Sequence, residues 1–423
     1  MALAISSSVS VSSTRIEDKT LAVPGRSNAA PSIAADGEFV AIAWSASLPG
    51  GATDIFLAVS RDGGQTFGSP VRVNDTDGDA RVNGEQPPRV VIQRGDPPAI
   101  TVVWTTKGAN GTRLVSARSE NGGRSFARTA NVPGGEAPGN RGWEAIVAAG
   151  RRAFVVWLDH RELAPQDGSM AAMHHQHSGG KPDGVAMAQK SKLYVAALDG
   201  STPPNAVTGG VCYCCKTAIA AAGDGSIHVA WRHVYPGNIR DIAFTSSRDG
   251  GRTFAPPARV SEDKWELEGC PDDGPAMAID PRDRIHIVWP TLVKTPSGED
   301  TIALFHSTST DGRRFSARER IPTEGMPHHP QIAAAADGSL ALAWDETIGG
   351  KRRAIAARAT FDANGRPRFE RRVISEGEAA IYPVIAVTPA GTIAAWTSGT
   401  GQAATIRVRV DRSADLSGQR SQP

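Results

Sequence analysis

Ile285-His286-Ile287-Val288-Trp289 is a short alternating run that ends on a tryptophan, and six more stretches repeat its form. They are Val40 to Trp44, Ile100 to Trp104, Ala153 to Trp157, Ile227 to Trp231, Leu340 to Trp344 and Thr392 to Trp396, so seven of the nine tryptophans close similar runs, spaced 52 to 74 residues apart. Each run has the two-residue period of a β-strand. A second short apolar run lies about 14 residues upstream of most of them, as in Pro330-Gln331-Ile332-Ala333. Turn pairs such as Asp36-Gly37, Asp224-Gly225, Asp337-Gly338 and Ala390-Gly391 sit between the two runs. A β-hairpin therefore opens every unit.

A repeat that crosses the whole chain points to a ring of supersecondary units. We expect an all-β protein, a β-propeller of four-stranded antiparallel blades, with seven blades favoured and six as the alternative. One domain is expected over 1–423. The last unit, from Ile385 to Val410, supplies only three strands, so the N-terminal segment (1–23, around Val9 to Ile16) is expected to add the fourth and close the ring. The stretch 158–185 reads as a long insertion loop and 411–423 as a polar tail.

Composition excludes several functions. With 46 Lys and Arg against 44 Asp and Glu, the net charge of +2 gives no field to hold nucleic acid. No apolar run approaches the roughly 18 residues of a membrane-spanning helix. Met1 to Ser13 has neither a basic start nor an apolar core, so it does not read as a signal peptide. Four cysteines, three of them within Cys212 to Cys215, fit disulfides of an oxidising compartment or a metal site. A periplasmic or secreted location is expected.

The second half of several units carries a sharper signal. Ser60-Arg61-Asp62-Gly63-Gly64-Gln65-Thr66-Phe67 recurs as Ser119 to Phe126 and as Ser247 to Phe254, with a shortened copy from Ser309 to Phe315. Asp or Asn accepts turn amides, glycine takes positive φ, and the aromatic packs beneath. The pattern resembles the Asp box of the sialidase superfamily. That resemblance implies a propeller with the box on the turn between the third and fourth strands, away from the active face. Sialidases have six blades, and the repeat here counts seven.

In such a ring the loops entering each blade share a face with those between its second and third strands. All four cysteines and seven of the ten histidines, His233 among them, then fall on one face. Cys212, Cys214, Cys215 and Cys270, with His328, His329, His174, His175 and His177, form a candidate soft-metal site for copper, with zinc the second choice. If the cysteines pair as disulfides there is no metal, and the two outcomes stay open. The sialidase resemblance implies a second reading, a glycoside hydrolase acting on sialic-acid-type or other sugars. Tyr382 would be its nucleophile, Glu144 the carboxylate that activates it, Asp159 the acid/base, and Arg141 and Arg161 the cations holding the substrate. A non-catalytic propeller is the third. The expected partner in each case is a small molecule, a sugar or a metal ion.

Overall fold

The alternation that marks the seven tryptophan runs buries one side chain in two against the next sheet, which makes each run the second strand of a four-stranded antiparallel blade. The computed structural model describes residues 18–163, 184–267, 271, 273–294 and 298–412. Seven such sheets form the ring. The seven tryptophans are almost completely buried, at 0–1% exposure. Each contributes roughly 4 to 6 kcal/mol of gross apolar burial. Several find an indole partner two residues on: Trp157 donates to Asp159 and Trp344 to Glu346.

Neighbouring blades share their cores. Ala41, Ile55 and Leu57 of the first blade pack with Val90, Ile100 and Trp104 of the second, and Val40, Ile42 and Trp44 pack with Ile393, Ile406 and Val408 of the seventh. The seventh sheet takes its outer strand, Lys19–Leu21, from the other end of the chain, pairing Lys19 with Val408. The expected closure by an N-terminal strand is observed, a few residues beyond the stretch anticipated. Residues 9–16 lie outside the described residues.

The Asp-Gly-Gly turns stitch one rim. Ser60 Oγ receives the Gly64 amide at 2.8 Å and donates to Asp62 at 2.7 Å, while Asp62 receives the Thr66 amide and hydroxyl at 2.9 and 2.6 Å. Asn121 with Ser119, and Asp249 with Ser247, repeat the arrangement. The second glycine is needed for packing. A Cβ on Gly64 would come within 2.7 Å of Ile393 in the preceding blade, and one on Gly123 within 2.8 Å of Val59.

At the opposite rim four innermost strands, Ser27–Asp36, Arg141–Ala149, Met326–Ala334 and Ala380–Thr388, carry a β-bulge at the same register position. Its first residue has positive φ in each: Ala30 (56°), Trp143 (53°), His329 (54°) and Tyr382 (53°). Non-glycine residues in this conformation are held there by the surrounding structure. Counting back from the residue paired with the one before the tryptophan, Lys216 occupies this position in the fourth blade. Two residues further on, Ser32, Arg89, Ala145, Ala218, Ala276, Gln331 and Val384, one from each blade, line a central channel of about 150 Å³.

Candidate functional site

The bulges aim their first residues at the mouth of that channel. His329 is fixed on three sides: its backbone amide donates to Asp273 at 2.6 Å, Nδ1 lies 2.7 Å from Asp345 and Nε2 lies 2.8 Å from Glu85. Asp345 is fully buried and receives the guanidinium of Arg352 through two nitrogens, a charge-assisted pair that holds the carboxylate ionised. His329 Nδ1 therefore donates to Asp345, and Nε2 lies in hydrogen-bond contact with Glu85. The Tyr382 hydroxyl donates to the same Glu85 oxygen at 3.3 Å. Four side chains thus form one chain of hydrogen bonds, Asp345–His329–Glu85–Tyr382, running from the buried interior to the mouth.

The loop carrying Glu85 lies directly on Tyr382. A Cβ on Gly84 would fall 1.9 Å from the phenol ring, so only glycine permits the approach. Burial, with Glu85 adding to it, pushes the Tyr382 hydroxyl up to about 12. Lys216 reaches across the mouth to the Pro330 carbonyl at 2.5 Å and lies 3.8 Å from Asp273. Burial brings its ammonium down to about 8, with Asp273 opposing the shift. His328, whose ring centre is 5.7 Å from that of His329, is lowered to about 4 by burial and then by Arg352. The Lys216 contact shows that the cysteine loop and the His328-His329 pair meet at one mouth.

The sulfurs sit beside this centre. Cys215 donates its S–H to Cys212 at 3.4 Å, and Cys212 and Cys214 are 3.8 Å apart. None of these separations is a disulfide bond between the three. Their sulfurs all lie within 4.8 Å of one another, and among the described residues no histidine or carboxylate joins them in such a group. Cys212 and Cys215 are free thiols, and Cys214 is disulfide-bonded. The hydrogen bond from Cys215 and the Arg240 guanidinium, 3.1 Å away, bring the Cys212 thiol down to about 6, against the opposing effect of burial. Burial raises the Cys215 thiol. Cys270, His174, His175 and His177 lie outside the described residues.

The other candidates take different places. Asp159 is buried under Trp157 and the paired nitrogens of Arg161. Arg141 gives its terminal nitrogens to the carbonyls of Thr112, Gly135, Ala137 and Pro138. Glu144 is 1% exposed, neither of its oxygens has a hydrogen-bond partner, and burial pushes it up to about 7 while Arg89 pulls it back. Glu85, Asp345 and Arg352 escaped the sequence reading. Asp345 offered a signal: it is the one acidic residue directly after the tryptophan in these seven runs, the other six having Ser, Thr, Leu, Arg, Pro and Thr there.

No family model matches the chain, and no curated protein does. Solved structures do. A protein of unknown function from Dyadobacter fermentans superposes with a TM-score of 0.51 at 14% identity, covering 94% of this chain and 99% of that one. An α-L-arabinofuranosidase from Fusarium graminearum, in complex with an iminosugar inhibitor, gives 0.50 at 12% identity, covering 94% and 98%. A Hadza microbial sialidase gives 0.47 at 13% identity, covering 86% and 74%. The likeness is one of fold: the chain adopts the β-propeller of four-stranded blades anticipated from the repeat, with seven blades.

Proposed function

We propose that the channel mouth is the catalytic centre of a sialidase-like glycoside hydrolase, with Tyr382 as nucleophile and Glu85 as the base that takes its proton. The hydrogen bond from the Tyr382 hydroxyl to Glu85 carries the reading. A phenol raised to about 12 is a weak nucleophile until its proton leaves, and the adjoining carboxylate supplies that route. His329 and Asp345 behind Glu85 fix its orientation. Arg141, Asp159 and Arg161 brace the 134–140 loop in this reading. The sugar-binding neighbour from Fusarium supports a glycoside as substrate class.

A panel of fluorogenic sialosides and arabinofuranosides tests it. Tyr382→Phe and Glu85→Gln should each lower kcat by about 10²- to 10⁴-fold with an unchanged melting temperature, and chelators should have no effect. Activity that survives Tyr382→Phe overturns the assignment. A panel without turnover, in which a sugar only raises the melting temperature, leaves a binding propeller.

A second reading rests on the sulfurs. Cys212, Cys214 and Cys215 lie close enough to share a soft metal ion, copper first and zinc second, in a binding or redox role. Metal analysis of untagged protein after dithiol reduction and supplementation, with Cys215→Ala alongside, tests it; substoichiometric copper and zinc in the reduced wild type counts against it. The disulfide at Cys214 supports export to an oxidising compartment. Among the described residues no helix is long and apolar enough to cross a membrane.

A further inference from the structure

The Asp-Gly-Gly turns do more than brace their own blades, because each one fills the boundary with the blade before it. Gly64 lies against Ile393 of the seventh blade, Gly123 against Val59 of the first, Gly251 against Val195 of the third and, in the shortened copy, Gly312 against Phe244 of the fourth. The third, sixth and seventh blades lack this turn. At the sixth, Phe361 takes its place, with its ring centre 5.5 Å from that of His286 and 6.1 Å from that of His306 in the fifth blade. The third blade turns instead through Asp199-Gly200-Ser201, and the seventh has no turn there because its outer strand comes from the start of the chain. At these two boundaries, second to third and sixth to seventh, clefts of about 430 and 420 Å³ stand open on the turn rim.

The two clefts differ in charge. In the sixth-to-seventh cleft every arginine has a carboxylate: Arg358 pairs with Asp337, Arg371 with Glu346 and Glu324, and Arg372 with Asp411. The second-to-third cleft holds four arginines, Arg118, Arg128, Arg151 and Arg152, against one lining carboxylate, Asp199. Two of the four are braced as its walls. Arg118 donates to Gln93 and, at 3.3 Å, to Thr101, while Glu120 takes its Nε at 2.5 Å. Arg152 donates to Thr202 at 2.9 Å and has Asp199 at 3.6 Å. Gln93 in turn donates to the Arg151 carbonyl at 2.7 Å, which ties the floor across the blade boundary. Arg128 and Arg151 are exposed and form no ion pair among the described residues, although Asp75, held by the Thr129 amide at 3.3 Å, feels the charge of Arg128.

We propose that this cleft is a second ligand site, on the rim opposite the channel mouth, for a phosphate or sulfate ester of a small polar molecule. Two cations without paired counter-charges beside a fixed polar floor favour an anion. A carboxylate has two oxygens and is filled by one guanidinium fork, whereas a tetrahedral oxyanion has oxygens for both Arg128 and Arg151. The cleft has room for more than the oxyanion, and Ser116 and Asp199 line it with a hydroxyl and a carboxylate suited to the hydroxyls of such a ligand.

Isothermal titration calorimetry on the full chain, at low salt in a buffer free of phosphate and sulfate, tests the site with glucose 6-phosphate, glucose 6-sulfate, glucuronate and glucose as probes. At least one ester should bind at one site per chain, glucuronate roughly tenfold more weakly, and glucose not at all. Which ester binds identifies the oxyanion. Arg128→Ala and Arg151→Ala should each weaken binding by about 10- to 100-fold with an unchanged melting temperature, since each removes one charged hydrogen-bonding group from an exposed position. Arg366→Ala, at an exposed arginine of the sixth blade outside the cleft, and Tyr382→Phe, at the mouth, should leave binding unchanged. The site is overturned if neither ester binds, if Arg366→Ala weakens binding as much as Arg151→Ala, or if Tyr382→Phe abolishes it. Glucuronate bound as tightly as the esters overturns the choice of anion.

Discussion

The two rims of the ring use the same repeat in opposite ways. At the turn rim, Ser60, Ser119 and Ser247 perform one task with one set of bonds, each receiving the amide of a glycine four residues on. At the mouth, equivalent bulge positions hold Ala30, Trp143, His329 and Tyr382, four residues with nothing in common but their backbone. Uniform chemistry at one rim keeps blades in register against their neighbours. Divergent chemistry at the other rim builds a site that no single blade contains. A repeat protein thus records its scaffold in what recurs and its specificity in what departs from recurrence.

The sharpest way to break this contrast is Asp345→Ala. It removes a buried carboxylate that serves Arg352, His329 and the Tyr382 amide, and should cost about 3 to 5 kcal/mol in denaturant unfolding, because Arg352 loses its counter-charge. Glu144 at the mouth rim gives a pH signature that the turn rim lacks. With a folded pKa of about 7 against an ordinary 4.5, the folded protein keeps a proton that the unfolded chain has released between those values. Stability should therefore fall as pH rises from 4.5 to 7, by roughly 3 kcal/mol, and Glu144→Gln should flatten that part of the melting-temperature profile. Ser247→Ala at the turn rim leaves the Gly251 amide without its acceptor and should cost about 1 to 3 kcal/mol by the same unfolding measurement. Smallest of all, Ala30→Gly should change stability by less than about 1 kcal/mol, since relief of the positive φ offsets the lost backbone restriction.

The scaffold was legible because its signals are local: an alternating run ending in tryptophan, a turn with two glycines, a fixed spacing. The presence of Tyr382, His329 and Lys216 on one face followed from sorting loops by their place in the blade. The partners that make them a site did not, because Glu85 arrives from the loop between the first two blades and contacts residues 244 and 297 positions away. The bulge itself leaves almost no trace in one sequence, since Ala30, Trp143, His329 and Tyr382 share no side-chain property, although proline follows three of them. The state of Cys214 was open for the same reason, as spacing alone cannot tell a disulfide from a ligand.

Lys19–Leu21 is only three residues long, yet it acts as the buckle of the hoop. Its partner strand lies almost four hundred residues away, so the closing interface joins the earliest and latest described segments of the polypeptide. Six blades can stack as they emerge, but the circle fastens only when the seventh is complete, and until then the outer edge of Thr405–Arg412 stays unpaired. A channel mouth assembled from distant blades is therefore complete only in a ring whose buckle is fastened.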